Sequence, residues 1–193
     1  MSRSLKPAVI TAAVTVDASP AQVRRWFRSL EAHPERYRFD THAGFTFVQG
    51  RFGQVGARFQ TGERFYGLKL MLTFELTVVD EAGFRFRLIR PLLPIWGAFL
   101  IGRGPGGTTS LRLEVGAIAR LGVWLLRLPP VRKAVQRQIR REVEHIKASV
   151  EAVYPGINPA PPDCGGPPGS AGASPPSSPR PSPDAGGRST PRR

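Results

Sequence analysis

The phenol of Tyr66 is the side chain of this sequence whose position best suits proton transfer. Residues 65–90 contain two stretches in which apolar and polar residues alternate, and Tyr66 is in phase with the apolar even positions up to Val78. A phenol on the apolar face of a strand pair could act as the acid in a cyclisation or dehydration. The competing interpretation is a buried tyrosine that only hydrogen-bonds the backbone. Arg90, at the end of the second stretch, is the other polar candidate.

Histidines and carboxylates offer less to a catalytic mechanism. The pattern predicts no inward carboxylate pair and no inward histidine, and it places His33 at a helix start, His42 in a loop and His145 on the polar side of a helix. These histidines lack the spacing of metal ligands, so we interpret each as a surface residue. We therefore expect no metal and no other cofactor, and binding rather than catalysis.

The glycine-rich segment GRGPGG, residues 102–107, looks superficially like a phosphate-binding loop. Such loops follow a strand and open a helix, whereas the segment TTSLRLEV that comes next has the alternation of a strand. The pattern therefore predicts a hairpin turn here.

Two kinds of element precede the central strands. The β-branched segment 8–16 predicts a first strand rather than the signal peptide that it faintly resembles. Ser19 and Pro20 have the residue types of a helix N-cap and first helical position. The helix that follows carries an apolar face formed by Val23, Trp26, Phe27 and Leu30, and a second short helix is expected after Pro34.

From residue 43 to 117 the polarity alternates with a period of two, in six stretches separated by glycine-rich or acidic turns. This pattern is typical of an antiparallel meander, with one long strand over residues 65–79. Residues 131–154 then contain neither Gly nor Pro and predict a long amphipathic helix. Its apolar stripe consists of Val131, Val135, Ile139, Val143, Ile146, Val150 and Val153.

The widths of these elements predict a cavity. About seven strands spaced by about 4.8 Å form a sheet about 30 Å wide, whereas one helix is about 10–12 Å across. The sheet must therefore curl around the helix, and Gly56, Gly67 and Gly97 could permit the curvature. Space between the two is the candidate site. The side chains expected to line it are Trp26, Phe47, Phe59, Tyr66, Leu68, Leu70, Leu72, Phe86, Leu88, Arg90, Trp96, Leu113, Ile139 and Val143.

Several segments resemble the START/Bet v 1-like (SRPBCC) superfamily, over about residues 5–154. They are VTVDASPAQVRRWFRSLEAHPERY, GQVGARF, LTVVDEAGFRFRL and QIRREVEHIKASVEAV. The resemblance implies an α+β helix-grip fold, in which a curved antiparallel sheet of about seven strands wraps a long C-terminal helix beside a hydrophobic pocket. Because the superfamily includes lipid-transfer and polyketide cyclase/dehydrase-like members, it implies binding of an apolar small molecule or, as the alternative, a cyclase/dehydrase-type enzyme.

Composition divides the 193 residues into a domain over 1–155 and a tail over 156–193. The tail is rich in Pro, Gly, Ser and Arg and has too few apolar residues to fold, so we expect it to be disordered. Its Cys164 is the single cysteine, which excludes an intrachain disulfide and favours a reducing, cytoplasmic location. No apolar run reaches the roughly 18–20 residues of a membrane span.

The net charge of +14 allows an acidic partner, and residues 119–141 are the part of the chain best suited to one. There Trp124 precedes the basic residues Arg132, Lys133 and Arg137, so an anionic membrane surface or a partner protein is a further alternative. In the competing interpretation the apolar side chains cover the mouth of the pocket; they are Leu121, Trp124, Leu125 and Leu128. Nucleic acid is not expected, since the arginines are scattered without a stacking platform. A monomer and a homodimer both remain open.

Overall fold

One antiparallel sheet dominates the computed structural model, which describes residues 8–40, 42–65, 67–117 and 119–155. Its strands are β1 (Val9–Val16), β2 (His42–Gln49), β3 (Arg58–Phe65), β4 (Leu68–Asp80), β5 (Gly83–Arg90), β6 (Ile95–Arg103) and β7 (Thr109–Ala117). The order across the sheet is β1-β7-β6-β5-β4-β3-β2. Consecutive strands from β2 to β7 are therefore neighbours, and β1 lies beside β7 as the edge strand opposite β2. This is the predicted meander, with the predicted hairpin over residues 102–107 joining β6 to β7.

Helices follow β1 and β7. They are α1 (Pro20–Ser29), a 3₁₀ helix (Pro34–Tyr37), α2 (Arg120–Arg127) and α3 (Pro129–Val153). The predicted N-cap of α1 is confirmed: Ser19 Oγ accepts a hydrogen bond from the Gln22 amide, and the Gln22 side chain accepts one from the Ser19 amide at 2.7 Å. None of the described helices is long and apolar enough to cross a bilayer.

A solid core lies where α1 and the second half of α3 cover the sheet. Trp26 and Val143 are fully buried there, together with Leu111 of β7. The indole Nε1 of Trp26 donates to Ser149 Oγ at 3.0 Å, which joins α1 to α3. The apolar stripe predicted for the last helix is confirmed for Ile139, Val143, Ile146 and Val150, which are buried, whereas Val153 at its end is exposed.

The predicted long strand over residues 65–79 is wrong. β3 ends at Phe65 and β4 begins at Leu68, with Gly67 in the turn between them at φ 80°. Only a residue without Cβ adopts that conformation at no steric cost, so the glycine marks a hairpin and not a bend within one strand. Gly97 does serve close packing, because a Cβ there would lie 2.3 Å from Cζ of Phe86.

The uniform alternation predicted along β4 is also wrong at its C-terminal end. The pairing of β4 with β5 shifts register between Leu76 and Val78, so Val78 is exposed and Val79 packs against the core. A β-bulge of this kind exchanges the two faces of a strand. The predicted tail, residues 156–193, and the candidate acid Tyr66 lie outside the described residues.

Candidate functional site: an apolar cavity with a polar end

Between the concave face of the sheet and helix α3 lies a cavity of about 420 Å³. All strands except β1 contribute to its wall, together with α1, α2 and α3. Pockets that hold small molecules are typically about 300–1,000 Å³ and mostly apolar. The predicted space between curved sheet and helix therefore exists and has the size of a ligand site.

Phenylalanine is the most frequent residue type among the described residues that line the cavity. The nine that line the cavity are Phe27, Phe45, Phe47, Phe52, Phe59, Phe74, Phe84, Phe86 and Phe99. Phe59 of β3 is paired across the sheet with Phe74 of β4, and the two rings stack with centroids 5.3 Å apart. Phe86 of β5 meets both rings edge-on, at 5.7 and 5.2 Å. Side chains opposite each other on one face of a sheet are in contact, so the register of three strands builds this surface.

Most of the predicted lining residues face the cavity. The nine that do are Phe47, Phe59, Leu70, Leu72, Phe86, Leu88, Trp96, Leu113 and Ile139. Trp26 and Val143 lie in the solid core instead, because α1 and α3 are in direct contact at their level. Leu68 is 66% exposed beside the β3–β4 turn, and Arg90 is exposed at the end of β5. The placement of both therefore differs from the prediction.

One end of the cavity is polar, and the sequence analysis missed it. The polar side chains there are Tyr37, His42, Thr61, Glu63, Gln138 and Glu142. They come from the 3₁₀ helix, from β2 and β3, and from α3. The prediction that no histidine and no carboxylate pair point inward is therefore wrong.

His42 and Glu63 form the first half of this polar cluster. His42 Nε2 lies 2.8 Å from Glu63 Oε1, and His42 itself is buried. The amide of Gln138 donates to Glu63 Oε2 at 3.0 Å and lies 3.1 Å from His42 Nδ1. Thr61 adds a hydrogen bond to Glu63 at 3.0 Å. Both oxygens of Glu63 are therefore hydrogen-bonded, and one of them faces an imidazole that can carry a positive charge.

Tyr37 and Glu142 form the second half. The Tyr37 hydroxyl donates to Glu142 Oε1, while no described residue donates to the second oxygen of that carboxyl. Burial, helped by the charge of Glu63 and opposed by His42 and the Tyr37 hydrogen bond, raises the pKa of Glu142 to about 7. The carboxyl is therefore about half protonated at neutral pH, as general acids and bases often are.

The neighbouring groups respond to the same charges. Burial and the Glu142 carboxylate raise the pKa of Tyr37 well above its usual value. Burial lowers the pKa of His42, but the hydrogen bond to Glu63 and the charges of Glu142 and Glu63 outweigh burial and raise it overall. Tyr37 therefore stays protonated, and the imidazole of His42 gains a proton readily.

A register shift explains why His42 escaped prediction. The pairing of β2 with β3 is irregular between His42 and Gly44, so His42 shares the inward face with Phe45 and Phe47 although its number is even. Glu63 could have been found, because it follows Phe59 and Thr61 at steps of two in a strand whose odd positions are apolar or small.

On α3 the polar residues of the cavity could have been recognised as a second row of side chains beside the apolar stripe. Gln138 and Glu142 are four residues apart and each immediately precedes a stripe residue. His145 continues this row, stacks on Phe39 and lies 2.9 Å from the carbonyl oxygen of Arg36, so it is half-buried and not a surface residue. His33 is at the surface beside Glu35, as predicted.

Lysine, arginine and a metal-binding arrangement of side chains are missing from the described wall. Neither lysine nor arginine is among the described residues that line the cavity. Within the described ranges, no three His, Cys, Asp or Glu side chains are arranged to hold a metal ion. The site can thus offer apolar contact and a mainly acidic polar end.

Helix α2 lies at the cavity with one face and at the surface with the other. Leu125 and Leu126 line the cavity, whereas Leu121 and Trp124 are 57% and 58% exposed. Of the residues expected to cover the mouth, Leu125 therefore faces inward, and Leu121 and Trp124 face solvent.

No protein-family model matches the sequence, and no curated protein matches it either. Solved structures do resemble the fold. A START superfamily protein from Mycobacterium smegmatis is 16% identical with a TM-score of 0.60, over 75% of this chain and 98% of that one. The ginseng major latex-like protein 151 from Panax ginseng is 12% identical with a TM-score of 0.54, over 76% and 97%.

A third solved structure, that of Ara h 8.0201, is 13% identical with a TM-score of 0.58 and covers 76% of this chain and 99% of its own. At such identities the likeness concerns the course of the backbone. The seven-stranded antiparallel sheet around a long C-terminal helix agrees with these structures. The chain therefore has the helix-grip fold of the START and Bet v 1-like (SRPBCC) proteins, as its sequence predicts.

Proposed function

We propose that the protein binds an apolar small molecule, lipid- or polyketide-like, in the cavity between the sheet and α3. The observation that carries this proposal is a space of about 420 Å³ that the protein's own side chains leave among nine phenylalanines and several aliphatic residues. Burying an apolar molecule there removes its surface from water and adds dispersion contacts to the wall.

Two adjacent residues of β4 provide a matched test. Leu70 lines the cavity and is 39% exposed, whereas Met71 points to the other face of the sheet and is 64% exposed. Arginine at position 70 can reach water with its charged end while its stem narrows the cavity. We expect Leu70→Arg to weaken binding of a fluorescent fatty alcohol or polyaromatic probe at least severalfold, and Met71→Arg to leave binding unchanged.

Titration of probe fluorescence measures both affinities, and native mass spectrometry of freshly purified protein identifies any co-purifying apolar molecule. Wild-type protein that is folded by circular dichroism yet binds no apolar probe would overturn the proposal. Equal losses in both arginine variants would place the binding site outside the cavity.

A cyclase/dehydrase-type enzyme is the second candidate, and the observation that favours it is the polar end. Glu142 lines the cavity, its pKa is about 7, and it is hydrogen-bonded to Tyr37. Such a carboxyl could exchange a proton with a bound polyketide-like precursor. Glu142→Gln should then reduce turnover roughly 10²- to 10⁴-fold, and Glu144→Gln, on the exposed side of α3, should not.

The same assay separates this mechanism from the one expected from the sequence. If Tyr66 is the acid, Tyr66→Phe removes turnover and Glu142→Gln has little effect. Full turnover in the Glu142→Gln variant would argue against catalysis by the polar cluster.

A membrane-surface contact through α2 and the start of α3 is the third candidate. It is favoured by the exposed Leu121 and Trp124, which are followed by the exposed basic residues Arg132, Lys133 and Arg137. Apolar anchors with adjacent cations are typical of binding at an anionic interface. We expect co-sedimentation with vesicles that contain phosphatidylserine at low salt, and less with phosphatidylcholine alone.

Trp124→Ser tests the anchor, and Val48→Ser, at an exposed position of edge strand β2, is its control. Loss of co-sedimentation only in the first variant supports the contact. Failure of wild-type protein to bind the anionic vesicles at low salt would remove this candidate.

A further inference from the structure

The polar end of the cavity is acidic, and its two carboxyls differ in how they are neutralised. Glu63 faces His42 at 2.8 Å and accepts hydrogen bonds from Thr61 and Gln138. Glu142 forms no ion pair with any described residue, and Tyr37 is the described donor to its carboxyl. Glu142 is nevertheless a wall residue of the cavity and only 9% exposed. A buried carboxyl on a wall residue, with one oxygen that no described residue donates to, can accept a hydrogen bond from a ligand.

We propose that the ligand is an apolar molecule whose polar group is a protonated amine, bound at the Glu142 carboxylate. This inference rests on the proposed binding of an apolar molecule and specifies its polar group. It also disfavours ligands that end in a carboxylate, such as a fatty acid in the same orientation, because they would bring a third acid to a cluster that has neither lysine nor arginine among its described residues.

Electrostatics favours the amine for two reasons. A buried carboxylate without a cation is costly because it has lost its solvation by water. Charge-assisted hydrogen bonds from an ammonium group replace that solvation. An aliphatic hydroxyl can donate one hydrogen bond but brings no charge, so it gains less from the ionised carboxyl. A ligand carboxylate is repelled by Glu63 and Glu142 alike.

The preference should depend on pH through Glu142. The titratable groups that face Glu142 are Tyr37 from the 3₁₀ helix, His42 from β2 and Glu63 from β3. His145 lies one turn further along α3, beside the carbonyl oxygen of Arg36. Its pKa of about 7 means that the carboxyl is ionised at pH 8 and protonated at pH 5. An alkylamine is charged at both values, so a change in its affinity reports on the protein.

The experiment compares 1-aminodecane, 1-decanol and decanoate by isothermal titration calorimetry at pH 8 and pH 5, below their aggregation concentrations. At pH 8 we expect the amine to bind roughly tenfold tighter than the alcohol, and decanoate to bind weakest. At pH 5 the advantage of the amine over the alcohol should shrink to severalfold or less. Glu142→Gln should remove the advantage at both pH values, and Glu144→Gln should preserve it.

Each outcome separates this inference from the proposed function. Equal binding of amine and alcohol at pH 8, or tightest binding of decanoate, overturns the amine while apolar binding stands. Absence of binding by all three probes overturns both. If Glu142→Gln fails to fold, the comparison of pH 8 with pH 5 in wild-type protein still decides, because a pH-independent amine preference would contradict the role of Glu142.

Discussion

Replacing Glu142 with glutamine should stabilise the protein at alkaline pH and leave its stability almost unchanged in acid. The pKa of this carboxyl is raised from 4.5 to about 7, chiefly by burial. The fold therefore favours the protonated form, and that contribution is complete below pH 4.5 and lost as the pH rises to about 7. Glutamine has the same shape, stays neutral and can still accept the hydrogen bond of Tyr37.

The size of the effect follows from the two pKa values. Their difference, at about 1.4 kcal/mol for each pH unit, corresponds to roughly 3 kcal/mol in the free energy of unfolding. For a domain of about 150 residues this is a difference of roughly 6–12 °C in melting temperature. His42 changes stability in the same direction, because its pKa is also raised, but the part of that rise that comes from Glu63 remains in the variant and cancels in the comparison.

Urea unfolding followed by circular dichroism at pH 4.5, 6, 7 and 8 measures this difference. The curves of wild type and Glu142→Gln should diverge as the pH rises. Glu144→Gln serves as the control, because Glu144 is exposed and its partner among the described residues is Arg140 on the helix surface. A difference that is the same at all four pH values, or a wild type that gains on the variant with rising pH, would refute the assigned environment of Glu142.

Two further substitutions test the packing that shapes the cavity. Gly97→Ala places a Cβ 2.3 Å from the ring of Phe86, so it should lower the free energy of unfolding by about 1–3 kcal/mol in urea titrations. Gly102→Ala in the same strand meets its nearest atom at 3.9 Å and should change little; equal effects would contradict the close contact at Gly97. Ser149→Ala leaves the buried indole N–H of Trp26 without its acceptor and should cost about 1–2 kcal/mol. Unchanged thermal unfolding of that variant would show that the hydrogen bond contributes nothing.

The apolar wall could be predicted because it depends on local periodicity. Leu70 and Leu72 belong to a run of apolar even positions in β4, and Ile139 belongs to a stripe with the helical repeat, so their directions follow from their own segments. The comparison of sheet width with helix width then required a curved sheet, and the cavity follows from the curvature. Errors began where the backbone departs from regular repeats, at the Gly67 turn and at the register shift before Val78.

By itself, therefore, the sequence determined the order of the elements, the helix-grip architecture and an apolar pocket between sheet and helix. The polar end was decided by the tertiary structure alone. Tyr37 and His42 are close in the chain, but Glu63 and Glu142 are distant from them and from each other, the four residues belong to four elements, and a β-bulge turns His42 inward. Periodicity describes one segment at a time, whereas the contact of these four side chains and the raised pKa of Glu142 arise only when the elements pack together and exclude water.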